Sequence, residues 1–119
     1  MQKTVLVAES DAHIALLIQT NLEHWGYRTF LATNGTDALK MIGIERPDVV
    51  VSEVSLPFLS GFEMIQRLKQ DQILANTPVI FLSSLVQDED IRQGIELGAS
   101  AYLSKPFEPK ELAYAVANA

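Results

Sequence analysis

The sequence predicts an α/β fold in which a doubly wound, five-stranded parallel sheet carries helices on both faces, as a single domain over residues 1–119. Three observations predict it. Short runs of strand type, TVLVA (4–8), YRTFLA (27–32), DVVVSE (48–53), PVIFLS (78–83) and AYLSK (101–105), alternate with segments of helical period. Several of these runs are continuously apolar, as strands covered on both faces are, and parallel strands need a crossover between them. With 119 residues and 48% hydrophobic content, the chain suits one core and not two. No repeat, low-complexity stretch or Pro/Gly/Ser linker divides it.

Each element has its own signal. After the first strand, Ile14, Leu17, Ile18, Leu22 and Trp25 recur as one helical face, and Gly26 closes that helix. The second strand leads through a turn at Asn34-Gly35 to a helix near 36–45. The third, DVVVSE, ends on Glu53 ahead of a turn at Pro57. Ser60, with Glu63 three positions on, reads as a capping box opening a helix to about Lys69. Asp88 is placed to cap a helix carrying Ile91, Ile95 and Leu97 and ended by Gly98. Gly94 with Gly98 reads as helix punctuation, and Gly35 and Gly61 as turns and caps. The last helix starts near Pro109, a favoured residue for a first turn.

Bulk properties exclude several function classes. A formal net charge of −6 gives no general attraction to phosphate backbones, so this domain is not expected to bind nucleic acid. The absence of cysteine removes disulfide frameworks and thiolate metal sites. No apolar run approaches the ~20 residues needed to span a bilayer, so no membrane role is expected. MQKTVLVAES enters a strand without a signal-peptide pattern, which makes the cytoplasm the expected compartment. A phosphate-binding α/β enzyme shares the architecture, but GxGxxG, GxxxxGK[ST] and GxSxG are all missing. The domain is not expected to be an enzyme.

In doubly wound sheets the ligand crevice lies outside the carboxyl ends of the strands. Those ends here carry Glu9-Ser10-Asp11, Glu53, Ser83-Ser84 and Lys105-Pro106. Two carboxylates, a hydroxyl and an ammonium thus converge from four strands, and Glu53 can end a buried strand because a counter-charge can meet it there. The acidic start after VLVA, the PDVVVSE strand followed by LP and Gly61, the hydroxyl in IFLSS and the LGASAYLSKPF segment fall in one order across nearly the whole chain. In these features it resembles the receiver domain of two-component response regulators. The resemblance implies a flavodoxin-like strand order 2-1-3-4-5. It also implies a domain that takes a phosphoryl group from a histidine kinase onto an aspartate beside bound Mg²⁺, then re-forms a surface for a partner.

Carried over by position, the resemblance puts the phosphoacceptor at Glu53 and the two acidic metal residues at Glu9 and Ser10. It puts a metal-ligating backbone carbonyl at Ser55, the switching hydroxyl at Ser83, the aromatic that moves with it at Tyr102 and the paired ammonium at Lys105. The Lys105-Pro106 bond resembles the family's cis peptide. The departures fall on the chemistry. Ser10 removes an anion from the direct metal ligands, so Mg²⁺ is expected to bind weakly or not at all. Glu53 reaches about 1.5 Å further than aspartate, and such an offset can cost ~100-fold in a reaction that needs in-line placement.

The expected function is therefore a degenerate receiver, working in phosphorelay signalling as a protein-interaction module. The alternative is conventional Mg²⁺-dependent phosphorylation of Glu53. The face containing Tyr102 is expected to contact a signalling protein or effector domain, with a histidine kinase as a further candidate partner. A hydrogen bond between Glu53 and Ser83 is expected to draw Tyr102 inward and fix that face. Plainer readings stand beside these: Glu53 with Lys105 as a structural ion pair, Ser83 bonding local backbone, Tyr102 as a packed ring, and His13 and His24 as solvated surface. The last helix, ending at VANA, would be short for the family, which suggests a domain cut from a longer protein.

Overall fold

The computed structural model describes residues 2–119. Strands β1 (Thr4–Ala8), β2 (Arg28–Ala32), β3 (Val49–Ser52), β4 (Val79–Ser83) and β5 (Ala101–Ser104) alternate with helices α1 (Ala12–His24), α2 (Gly35–Glu45), α3 (Gly61–Gln70), α4 (Asp88–Glu96) and α5 (Pro109–Ala117). All pairings are parallel, in the order β2-β1-β3-β4-β5. This is the doubly wound architecture that the strand–helix alternation predicts.

The two-residue period of the strands divides the core into two layers. Leu6, Val50 and Phe81 face one side of the sheet and pack with Ile42, Met64, Ile65 and Leu68 of α2 and α3. Val5, Val7, Val51, Ile80 and Leu82 face the other and pack with Ile18 and Leu22 of α1 and Leu112 and Val116 of α5. Every residue of β3 and β4 is buried, which is why those runs are unbroken by polar alternation.

Local chemistry sets the helix starts. The Asp11 carboxylate accepts from His13 N and Ile14 N at the head of α1, and Asn34 accepts from Asp37 N at the head of α2. Ser60 and Glu63 form the expected capping box of α3.

Several boundaries and faces differ from expectation. The buried stripe of α1 is Ala15, Ile18 and Leu22, while Leu17 is 61% and Trp25 50% exposed. A narrow stripe suffices against the sheet, and the larger side chains line an open apolar groove with Pro106 and Phe107. Trp25 is the cap of α1 and not part of it. The N-cap of α4 is Gln87, in a capping box with Asp90, and Asp88 is the first helical residue. Ile95 on that helix is exposed. Strands β3 and β5 stop one residue early, so Glu53 and Lys105 lie just outside the sheet. Strands β2, β3 and β4 begin one residue late, at Arg28, Val49 and Val79. Among the described residues, no helix is long and apolar enough to cross a membrane.

Candidate functional site

Because all the strands run parallel, their carboxyl ends share one edge, and the order reverses between β1 and β3. Ala8 is in register with Ser52 there, so Glu9 and Glu53 are the first residues past the ends of two neighbouring strands. Glu53 N donates to Ala8 O at 2.9 Å, extending the pairing by one step. Across the sheet, Lys105 N donates to Ser83 O at 3.0 Å, which fixes where the lysine side chain starts. The Lys105-Pro106 peptide is cis.

From that start Lys105 bridges both acids. Its Nζ donates to Glu9 Oε1 and to Glu53 Oε1, each at 2.6 Å. The side chains are only 3% exposed at Glu9, 7% at Glu53 and 13% at Lys105. The remaining oxygens bond to main chain: Asp11 N donates to Glu9 Oε2 at 3.0 Å, and Val54 N and Ser55 N both donate to Glu53 Oε2. Burial alone would raise the Glu53 pKa. The Lys105 hydrogen bond, the nearby Ser83 hydroxyl and the Ser55 N–H outweigh it and hold the carboxyl below its ordinary value. Burial would likewise lower the Lys105 pKa, but its hydrogen bonds to Glu53 and Glu9 raise it. Both shifts favour the charged forms of Glu53 and Lys105, and the same ammonium bridges to Glu9 Oε1.

The other candidate residues take different places. Ser10 and Ser55 are exposed, and Asp11 is occupied as the α1 cap. Although the Ser83 hydroxyl is close enough to favour the Glu53 anion, its directed bond is local, accepting from Leu85 N at 3.1 Å. The hydrogen bonds that Glu53 makes are to Lys105 and to two amides, and the expected directed bond to Ser83 does not stand beside them. Lys105 supplies a full charge where a hydroxyl offers a dipole, so it takes the carboxylate.

Tyr102 nevertheless lies half-buried. Its ring tilts against Phe81 with centroids 5.9 Å apart, and its hydroxyl donates to Leu85 O. Leu85 thus joins Ser83 to Tyr102 through its two main-chain groups. The ring also rests on Gly94, where a built Cβ would approach its Cδ2 to 2.8 Å. Neither Leu85 nor Gly94 was expected in the site. An isolated glycine inside a helical segment was the available signal.

Mg²⁺ demands several oxygens in near-octahedral array, whereas every carboxylate oxygen of Glu9 and Glu53 already accepts an N–H and the third position is a neutral, exposed Ser10. No group of three His, Cys, Asp or Glu able to hold a metal ion occurs among the described residues. The residues do not fit the ion.

Known proteins resemble this chain along nearly its whole length. The alkaline phosphatase synthesis transcriptional regulatory protein PhoP of Bacillus subtilis is 38% identical over 112 residues, covering 94% of this chain and 46% of PhoP. The chain spans about half the length of the curated relatives it matches. A crystal structure from Chloroflexus aurantiacus superposes with a TM-score of 0.95 at 32% identity, over 99% of this chain and 97% of that one. The receiver domain of the Francisella response regulator 1452 gives 0.91 at 37% identity, over 98% and 95%. The model of the response regulator receiver domain matches residues 5–117, the sheet and all five helices almost to their ends, and the chain belongs to that family of two-component signalling domains.

Proposed function

We propose that this receiver domain has given up ordinary phosphotransfer and serves in its signalling pathway as a protein-interaction module. The observation that carries the reading is the engagement of Glu53, whose two oxygens are held by Lys105 and by the amides of Val54 and Ser55. An acceptor must present a free oxygen in line with the incoming phosphorus, and here the longer side chain is tied back at both oxygens. The misfit of Mg²⁺ supports the same reading, since the family's chemistry uses that ion to neutralise developing charge.

The interaction surface is the face built by α4, β5 and α5. Leu85, Val86, Ile95 and Tyr114 are exposed apolar side chains on it or at its edge, and Tyr102 is held there by Phe81, Gly94 and Leu85. With Tyr102 held, this face stays in one arrangement without a phosphoryl signal. Its partner is a signalling protein or effector domain, and a histidine kinase is the other class of protein a receiver domain meets.

Incubation with a small phosphodonor and Mg²⁺, followed by intact-mass detection of acyl phosphate, tests the reading. The wild-type chain should remain unmodified, whereas Ser10→Asp with Glu53→Asp should gain both metal binding and phosphate. Each single change should gain less than half of the effect, because both positions serve one ion and one reacting oxygen. Wild-type labelling as fast as that of the double variant would return the conventional phosphoacceptor reading with Glu53 as the acceptor.

A further inference from the structure

Glu9 and Glu53 are buried neighbours, and their near oxygens point at a single spot. That spot holds Lys105 Nζ, 2.6 Å from each. The far oxygens are taken by main-chain N–H groups of Asp11, Val54 and Ser55. We propose that the Lys105 ammonium is the resident cation of this pocket: it bridges the two carboxylates from the position a divalent ion would take, offsets one of their two charges and thereby shuts divalent ions out.

The inference rests on the degenerate-receiver reading and deepens it by naming the group that closes the site. Two buried carboxylates aimed at one another repel strongly unless a cation lies between them. Lys105 is delivered by the end of β5, on the far side of β4, and its main chain is anchored to Ser83 O. A divalent ion entering the pocket would have to break two charge-assisted bonds and leave an ammonium unpaired at a site only 13% exposed. It would then find no third anion, since Ser10 is neutral and Asp11 caps α1. The same geometry implies the converse. With the ammonium removed, two carboxylates remain directed at one point, which is the beginning of an oxygen site for a hard cation.

Mn²⁺ is the probe, because it seeks oxygen ligands in octahedral array and its free concentration is read directly by electron paramagnetic resonance. Titrated at neutral pH, the wild-type chain should show no saturable site, and Lys105→Arg should behave like it. Lys105→Met should gain one site, with affinity raised by about 100-fold or more from the loss of a unit charge at contact distance. Adding Glu9→Gln to Lys105→Met should abolish the gain. A folded Lys105→Met that binds Mn²⁺ no better than wild type would overturn the proposal, as would a wild-type site of equal strength. If Lys105→Met is unfolded alone, Mn²⁺ must restore its far-ultraviolet circular dichroism, and failure to do so also counts against the proposal. Acyl phosphate on the wild-type chain would remove the degenerate-receiver reading instead, and that assay is scored separately from these metal titrations.

Discussion

Phe58 is 87% exposed and has a φ of 68°, in the left-handed region that bulky side chains avoid. It follows Pro57, whose carbonyl accepts from Gly35 N and Leu59 N, so the turn is pinned on both sides and the strained residue cannot relax. Phe58→Gly should raise unfolding free energy by about 1 kcal/mol, the lower end of the left-handed penalty for a side chain, as read from the denaturant midpoint. A drop in stability would mean that the ring contributes packing its exposure does not suggest. At this scale the sequence showed chemistry better than contacts. Glu9, Glu53, Ser83 and Lys105 were legible as one crevice because each lies at the end of a strand or one residue past it. That Lys105 would claim Glu53 from Ser83 was not, because the choice depends on where a long flexible side chain starts. The strain at Phe58 has no residue-type signature; a phenylalanine after proline reads as an ordinary turn residue.

Helices show the same division between what is local and what is assembled. The capping box at Ser60 and Glu63 was readable because its partners are three residues apart. The buried stripe of α1 was misread because apolar periodicity favours large side chains, so Ala15 went unseen while Leu17 and Trp25 were counted inward. Gly94 is the clearest case. In α4 it looks like a helix weakness, yet a built Cβ would lie 2.8 Å from Tyr102 Cδ2 and 3.3 Å from Phe81 Cδ2. Gly94→Ala would gain about 1 kcal/mol of helix propensity and lose about 1–3 kcal/mol to overpacking, so a net loss is expected. Gly43 in α2 has nothing within 4 Å of its built Cβ, and Gly43→Ala should therefore stabilise by about 0.5–1 kcal/mol. If both substitutions move the thermal midpoint in the same direction, Gly94 is not the seat of the Tyr102 ring. The aromatic resonances of Tyr102 should shift in Gly94→Ala and not in Gly43→Ala.

The domain as a whole takes its pH range from the bridged cluster. The Glu53 pKa lies below its ordinary 4.5, so its contribution is full above that value and is lost as pH falls through the lower, folded-state value. The Lys105 pKa lies above its ordinary 10.5, so its contribution is full below that value and is lost as pH rises through the higher one. Stability should be flat in these two terms between those limits and fall outside them. Glu53→Gln should flatten the acid limb of a midpoint-versus-pH curve, and an unchanged acid limb would show that Glu53 does not set it. Strand and helix placement was readable from alternation alone, since each βα unit is a short-range pattern, whereas the strand order β2-β1-β3-β4-β5 was implied only by the family resemblance. The bridge was not, because it joins residues 96 and 52 positions apart. That separation matters while the chain is being made. A ribosome delivers Glu9 and Glu53 long before Lys105, and until the final strand emerges the half-built sheet has two carboxylates at one edge with nothing to answer them. Burying them without a cation is unfavourable, so this edge of the sheet can be closed over both carboxylates only once the strand that carries the lysine is in place.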